Sequence, residues 1–154
     1  MYGRSSTAPL PGSSPQTEQA TIWLEGRGAR LYDPGETLSG FYSLSEIRRA
    51  AVDSVEISVL WRTEGKGNED VGVHAFWKLS VQAGDWIDPL RPCRFSTKLP
   101  KSPLSYEGNL IKICWYARIR AFLSTGEQVV DETPFRLGDL PDMRALKLYA
   151  DHDS

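Results

Sequence analysis

The chain carries two histidines, His74 and His152, and two cysteines, Cys93 and Cys114. Nucleophilic catalysis needs a nucleophile, a base and a group that orients the base. His74 lies inside a run with strand alternation, His152 lies near the end of the chain, and no Gly-x-Ser-x-Gly elbow occurs. We therefore expect His74 to be a sheet-face residue rather than a base. A zinc site needs several thiolate or imidazole ligands at suitable spacing, which two distant cysteines without a second nearby histidine do not supply. Glu64, Glu69, Asp70, Asp85 and Asp88 fall in loop-like stretches without the Asp-x-Asp-x-Asp-Gly calcium pattern, and read as solvated acids. Gly65-Lys66-Gly67 lacks the second glycine and following helix of a phosphate loop, and reads as a hairpin tip. The expectation is a non-enzymatic chain with no metal and no cofactor.

One row of side chains could recognise a partner. Lys112, Tyr116, Arg118 and Arg120 recur at even positions of a single alternating run, Leu110 to Ser124. Alternate residues of a strand share a face, so the four form a basic and aromatic ridge about 27 Å long at most. Arginine forks on such a ridge pair well with carboxylate or phosphate on an acidic protein segment. The plainer reading is a solvated sheet face neutralised from a neighbouring strand by Glu56 or Glu64.

The elements that must carry these residues are strands. On the other side of the same run, Ile111, Ile113, Trp115, Ala117, Ile119, Ala121 and Leu123 make an apolar row. A helical period fails there, because it would place Tyr116 and Ala117 on the same side as Ile113. Val55, Ile57, Val59 and Trp61 alternate with Glu56 and Ser58. Val71, Val73, Ala75, Trp77 and Leu79 continue the pattern after a Gly/Asn-containing loop, so the two runs predict an antiparallel hairpin. Thr37 to Leu44 places Leu38, Tyr42 and Leu44 on one face, after a turn set by Asp33-Pro34-Gly35. Arg94 to Leu99 alternates again, while Gly84 to Pro92 and Pro100 to Gly108 are irregular. The last strands, Glu127 to Val130 and Thr133 to Leu137, are expected to break around Asp131. About seven or eight short strands without βαβ spacing predict an all-β, two-sheet antiparallel β-sandwich of the immunoglobulin-like kind.

Composition agrees with one domain. The chain has 154 residues, 40% of them apolar and 25% charged. A net charge of −2 makes nucleic acid an unexpected partner. No run approaches the roughly 20 apolar residues of a membrane span. Residues 1–19, rich in Ser, Pro and Gly, read as a flexible leader. They lack the apolar run of a signal peptide, which makes a cytoplasmic protein the default. Residues 20–140 read as the sandwich, and 141–154 as a short C-terminal helix or tail. Cys93 and Cys114 read as free thiols in such a compartment, with a bridge between neighbouring strands as the alternative.

The order of the turns and strands resembles the arrestin family. The residues are Tyr32-Asp33-Pro34-Gly35-Glu36-Thr37-Leu38-Ser39-Gly40, then Val52, Val55, Ile57 and Val59. Further along come Phe95, Leu99, Pro100, Pro103, Ser105, Tyr106 and Gly108, and a long strand with Ile113, Trp115 and Tyr116. The likeness covers roughly residues 21 to 137. It departs at Leu104, where a second proline is frequent, and in having length for a single lobe. The resemblance implies an arrestin-like sandwich of the bacterial single-domain kind, acting as a protein-binding adaptor or scaffold through sheet faces and edge strands. Protein partners are expected, and the same edges would serve a homodimer. Interdomain activation does not carry over to one lobe. The alternative is a carbohydrate- or ligand-binding sandwich or an accessory domain of an enzyme. For it, Trp86 is the main stacking candidate, since Trp61, Trp77 and Trp115 fall on inward rows.

Overall fold

The computed structural model describes residues 17–26, 30–67 and 69–138. The reading of residues 141–154 as helix or tail, and nearly all of the leader, lies outside them. Nine strands follow one another: β1 (Gln19–Leu24), β2 (Leu31–Tyr32), β3 (Thr37–Glu46), β4 (Val52–Gly65), β5 (Val71–Ser80), β6 (Cys93–Lys98), β7 (Tyr106–Glu107), β8 (Ile111–Leu123) and β9 (Gln128–Leu137). They form two sheets, as the alternation predicts. The smaller has the order β1-β3-β6, and the larger β2-β9-β8-β4-β5 with β7 also on β8. The count exceeds the expected seven or eight because β2 and β7 are two-residue strands inside stretches that read as turn and connection.

The core lies between the sheets. Leu38, Tyr42 and Leu44 of β3 face Val55, Ile57 and Val59 of β4 and Trp115, Ala117, Ile119, Ala121 and Leu123 of β8 in one buried cluster. Burying such side chains stabilises by about 1.5–3 kcal/mol each. The predicted row on β8 holds from Trp115 onward, while Ile111 at the strand's start is exposed. Trp115 is 1% exposed, and its Nε1–H donates to the Pro103 carbonyl at 2.8 Å. The connection before β8 is thereby tied to the sheet. Ser105 adds a second tie, its backbone N–H donating to Leu137 O at 2.7 Å and its Oγ accepting from Leu137 N at 2.8 Å. Gly35 takes φ 84° in the turn before β3, where a side chain would be strained. At Gly40 the ring of Phe95 and the Trp23 carbonyl occupy the space a Cβ would need.

Two strands differ from the sequence reading. β4 and β5 pair as the predicted hairpin, but the register slips between Val59 and Leu60: Val59 faces Ala75 while Leu60 faces Val73. His74 is the extra residue of this bulge. One inserted residue reverses the faces of everything beyond it. Val71 and Val73 are consequently turned away from the core and stand 59% exposed. Second, β9 runs unbroken through Asp131. The Asp131 carboxylate lies on the inner side at the sheet margin and accepts the Ile22 backbone N–H at 2.9 Å, so the strand keeps a charged residue without orphaning it.

Candidate functional site

Lys112, Tyr116, Arg118 and Arg120 share one face of β8, because period two continues along the whole strand. Most of its polar groups are occupied within the sheet. Tyr116 donates its hydroxyl to Glu64 Oε2 at 2.6 Å, and the Arg62 guanidinium lies 4.1 Å from the centre of its ring. Arg118 holds Glu132 through Nε at 2.7 Å and Nη2 at 2.6 Å. Arg62 grips the same carboxylate at 3.1 and 3.3 Å. Lys112 pairs with Glu107 at 3.6 Å. Arg120 differs: its Nε is buried with no hydrogen-bond partner among the described residues. Glu64 serves as expected from the sequence, but Glu56 turns to Lys78 at 3.9 Å, and Glu132 of β9 is the main counter-ion.

These contacts set the charge states. Burial works against the Glu132 carboxylate, but the hydrogen bonds from Arg118 and Arg62 outweigh it and hold its pKa below the usual value. Glu64 is also held low, chiefly by the hydrogen bond from Tyr116. Burial, and then that same bond to Glu64, push the Tyr116 phenol up. Arg62, Tyr116, Glu64, Glu132 and Arg118 thus form a fixed, nearly neutral network. Below it Leu60 is 2% exposed on the outer side of the sheet, a burial that alternation alone does not predict.

The two flanks of the sandwich are unlike each other. On one, β1 meets β9, and the Ile22–Asp131 bond spans the sheets. Arg30 Nη1 reaches Thr133 Oγ1 at 2.8 Å, and β2 covers the end of β9. On the other, the edge strands β5 and β6 stand apart. A cleft of about 280 Å³ enters between them, lined by Tyr42, Val55, Ile57, Trp77, Leu79, Arg94, Phe95 and Ser96. Trp77 and Phe95 meet across it with ring centres 6.1 Å apart. Among the described residues, hydrogen bonds cross it at its far end. The His74 Nε2–H donates to the Lys98 carbonyl at 2.7 Å, with Thr97 Oγ1 at 3.3 Å, and the ring packs edge-on to Trp115. The imidazole is thus committed to joining β5 to β6. Burial, followed by a hydrogen bond with Cys93, pushes the Tyr42 phenol up, so it enters the cleft wall as a neutral group.

The strand on one side of the cleft is rich in exposed apolar side chains. Of the twelve large apolar residues that are exposed among the described residues, seven lie on β5 or in the connection that follows it: Val71, Val73, Phe76, Trp77, Val81, Trp86 and Leu90. Trp86 is 78% exposed, in the loop where the sequence reading put it. The sequence shows each of these residues, but not that Val71 and Val73 join Phe76 on the outer face of β5 while Trp77 faces the cleft, which the bulge at His74 decides. Cys93 and Cys114 are both free, on β6 and β8 of different sheets. No group of three or more His, Cys, Asp or Glu that could hold a metal occurs among the described residues. None of them forms a helix long and apolar enough to cross a membrane.

No family model matches the chain, and no curated protein does. Among solved structures it is similar to Spo0M, a sporulation control protein from Bacillus subtilis, with 15% identity and a TM-score of 0.57. The match covers 87% of this chain and 55% of Spo0M, so the chain spans about half of that protein's length. A superoxide reductase (neelaredoxin) from Ignicoccus hospitalis matches with 7% identity and a TM-score of 0.45, over 78% of this chain and 80% of the other. That score is too low to bear on chemistry. The fold is an all-β, two-sheet sandwich, and the likeness to Spo0M bears on that fold alone.

Proposed function

We propose that this chain is a non-enzymatic protein-binding module of the arrestin-like kind, and that its contact surface is the open β5–β6 flank. One observation carries the reading: a mostly apolar cleft enters between two edge strands, and seven of the twelve large apolar residues exposed among the described residues lie on β5 or in the connection after it. Exposed apolar side chains are unremarkable singly, but a cluster rimmed by charge marks an interaction surface. Arg91, Arg94, Lys78, Asp85 and Asp88 supply that rim from the same strands and connection. The regulatory role in Spo0M's name is in keeping with a binding rather than a catalytic part. The β8 ridge is the weaker surface, since its network already answers most of its own charges and the unpartnered Nε of Arg120 is buried.

Site-specific photocrosslinking in cells tests this. A photoreactive residue in place of Trp86 or Phe76 should label a protein partner, and one in place of Val130, exposed on β9, should not. Equal labelling at all three positions refutes the reading, and so does labelling at Val130 alone. A crosslinked homodimer through the flank would identify a second copy as the partner.

A carbohydrate-binding role is favoured by one observation. Trp23, 38% exposed, stacks on Phe41 with ring centres 5.9 Å apart on the outer side of the smaller sheet. Oligosaccharide binding that disappears in Trp23→Ala but survives in Trp86→Ala would establish it.

A further inference from the structure

The smaller sheet has three strands and the larger is five strands wide along its main path. The mismatch leaves the inner side of β5 short of cover. Trp77 points toward the core side, yet is 36% exposed. A fourth strand added beside β6 would lie over β5 and fill the cleft.

The backbone of β6 is set up to receive it. Leu99 turns both its polar groups toward β3 and its approach: its N–H donates to Glu36 O at 2.9 Å and its carbonyl accepts from Gly35 N at 3.1 Å. Strand alternation then turns Lys98, Ser96 and Arg94 the opposite way, toward the flank. The Lys98 carbonyl confirms the direction, because it is the group that His74 meets. Ser96 and Arg94 line the cleft, and their N–H and C=O groups face its opening.

The other edges are blocked. On β1, the Ile22 N–H is taken by Asp131. β2 has two residues. β5 is interrupted by the bulge at His74, carries Lys78 toward its end, and is capped at Ser80, whose N–H donates to Asp85 Oδ2 at 2.9 Å. Bulges, lysines and caps are the devices by which sheets refuse a neighbour. β6 lacks them along Arg94–Ser96.

We propose that β6 accepts an added strand: an extended peptide segment of a partner protein whose apolar side chains alternate with acidic ones. The proposal rests on the open-flank reading and names the edge and the partner's chemistry. Alternate side chains of an added strand point inward. There they would meet Trp77, Leu79 and Phe95. At about 280 Å³ the cleft falls just short of the roughly 300–1,000 Å³ typical of small-molecule sites, and suits inserted side chains instead. The outward side chains would lie beside Lys98 and beside Arg94, whose guanidinium already holds Glu25 at 3.1 Å on its other side, so Lys98 is the main cation of the outward row of β6. Acidic residues there match them. A second copy pairing through its own β6 would instead set Arg94 and Lys98 of both chains on one face, which like-charge repulsion disfavours.

Two synthetic peptides test the proposal on the full chain, one alternating Val with Glu and one alternating Val with Lys. The Val/Glu peptide should protect the amides of Arg94 and Ser96 from hydrogen exchange, and bind at least about tenfold more tightly than the Val/Lys peptide. Ser96→Pro removes the outward N–H at an edge position where proline is tolerated, and should lower affinity by about tenfold or more. Lys98→Glu, which leaves the backbone alone, should shift the preference toward the Val/Lys peptide. Protection on β5 instead of β6, equal affinity for the two peptides, or no binding by either overturns the proposal. If Trp86 still crosslinks a partner in that event, the flank reading stands without this inference. If Trp86 labels nothing as well, both fall.

Discussion

The β1–β9 flank and the β5–β6 flank border the same core but are finished differently. At the first, a carboxylate from one sheet satisfies an edge N–H of the other, a guanidinium reaches a buried threonine, and β2 seals the end of β9. Its aromatic groups are buried: Phe135 is 5% and Tyr32 2% exposed, meeting edge to face with centres 5.6 Å apart. At the second, a single imidazole joins the sheets and the aromatic groups stand partly in water. A sandwich needs both margins closed to protect its edges. Closing one and leaving the other lined with apolar side chains separates the margin that stabilises the fold from the margin proposed to recognise a partner.

Cutting back one aromatic residue on each flank gives the largest contrast. Phe135→Ala should destabilise by about 3–5 kcal/mol, the usual cost of a large cavity. Trp77→Ala should cost only about 1 kcal/mol, since the ring already meets solvent, while abolishing binding at the flank. Chemical denaturation measures both, and equal losses would break the contrast. Asp131→Ala comes next. It strands the Ile22 N–H, at a cost of about 1–3 kcal/mol. Hydrogen exchange at Ile22 should accelerate more than at other amides of β1. Unchanged exchange would mean that the closed flank is held by packing alone.

How much of this is legible in the chain differs from strand to strand. On β8 the residues from Trp115 to Leu123 alternate without interruption and the strand lies on the core throughout, so the ridge and the buried row both follow from spacing. The row Leu38, Tyr42, Leu44 is equally clear. On β5 the same alternation, Val71-x-Val73-x-Ala75-x-Trp77, misleads. Nothing local marks His74 as an inserted residue, because the bulge is defined by pairing with β4. Asp131 reads as a strand break since its partner, the Ile22 N–H, lies 109 positions away. The cleft is less legible still. It arises from the difference in width between the two sheets, a property of topology that no window of sequence contains.

The charged network on β4, β8 and β9 offers a smaller test that leaves both flanks intact. The folded-state pKa of Glu132 lies below its ordinary 4.5. Just under pH 4.5 the unfolded chain therefore binds more protons at this site than the folded one. Its contribution is complete above that pH and disappears as pH falls through the lower, folded-state value. Glu132→Gln should cost about 1 kcal/mol at neutral pH and flatten the acid side of the stability profile. Peptide binding at β6 should not change. A loss of binding in this variant would tie the ridge to the flank and blur the distinction between them.

The smallest effect is expected from His74→Ala, and it probes the open flank most directly. The substitution removes one hydrogen bond to the Lys98 carbonyl and an edge-on contact with Trp115. The bond is worth about 0.5–1.5 kcal/mol. The bulge itself should persist, because the pairing of β4 with β5 sets it. Without the imidazole, the Lys98 carbonyl joins Ser96 and Arg94 as a free group facing the flank. An added strand then gains one more pairing position. His74→Ala should thus slightly destabilise the chain while strengthening its hold on the Val/Glu peptide by about fivefold, given one further hydrogen bond. Titration of the variant beside the parent chain measures it. A weaker hold would show that His74 shapes the docking edge rather than limiting its length.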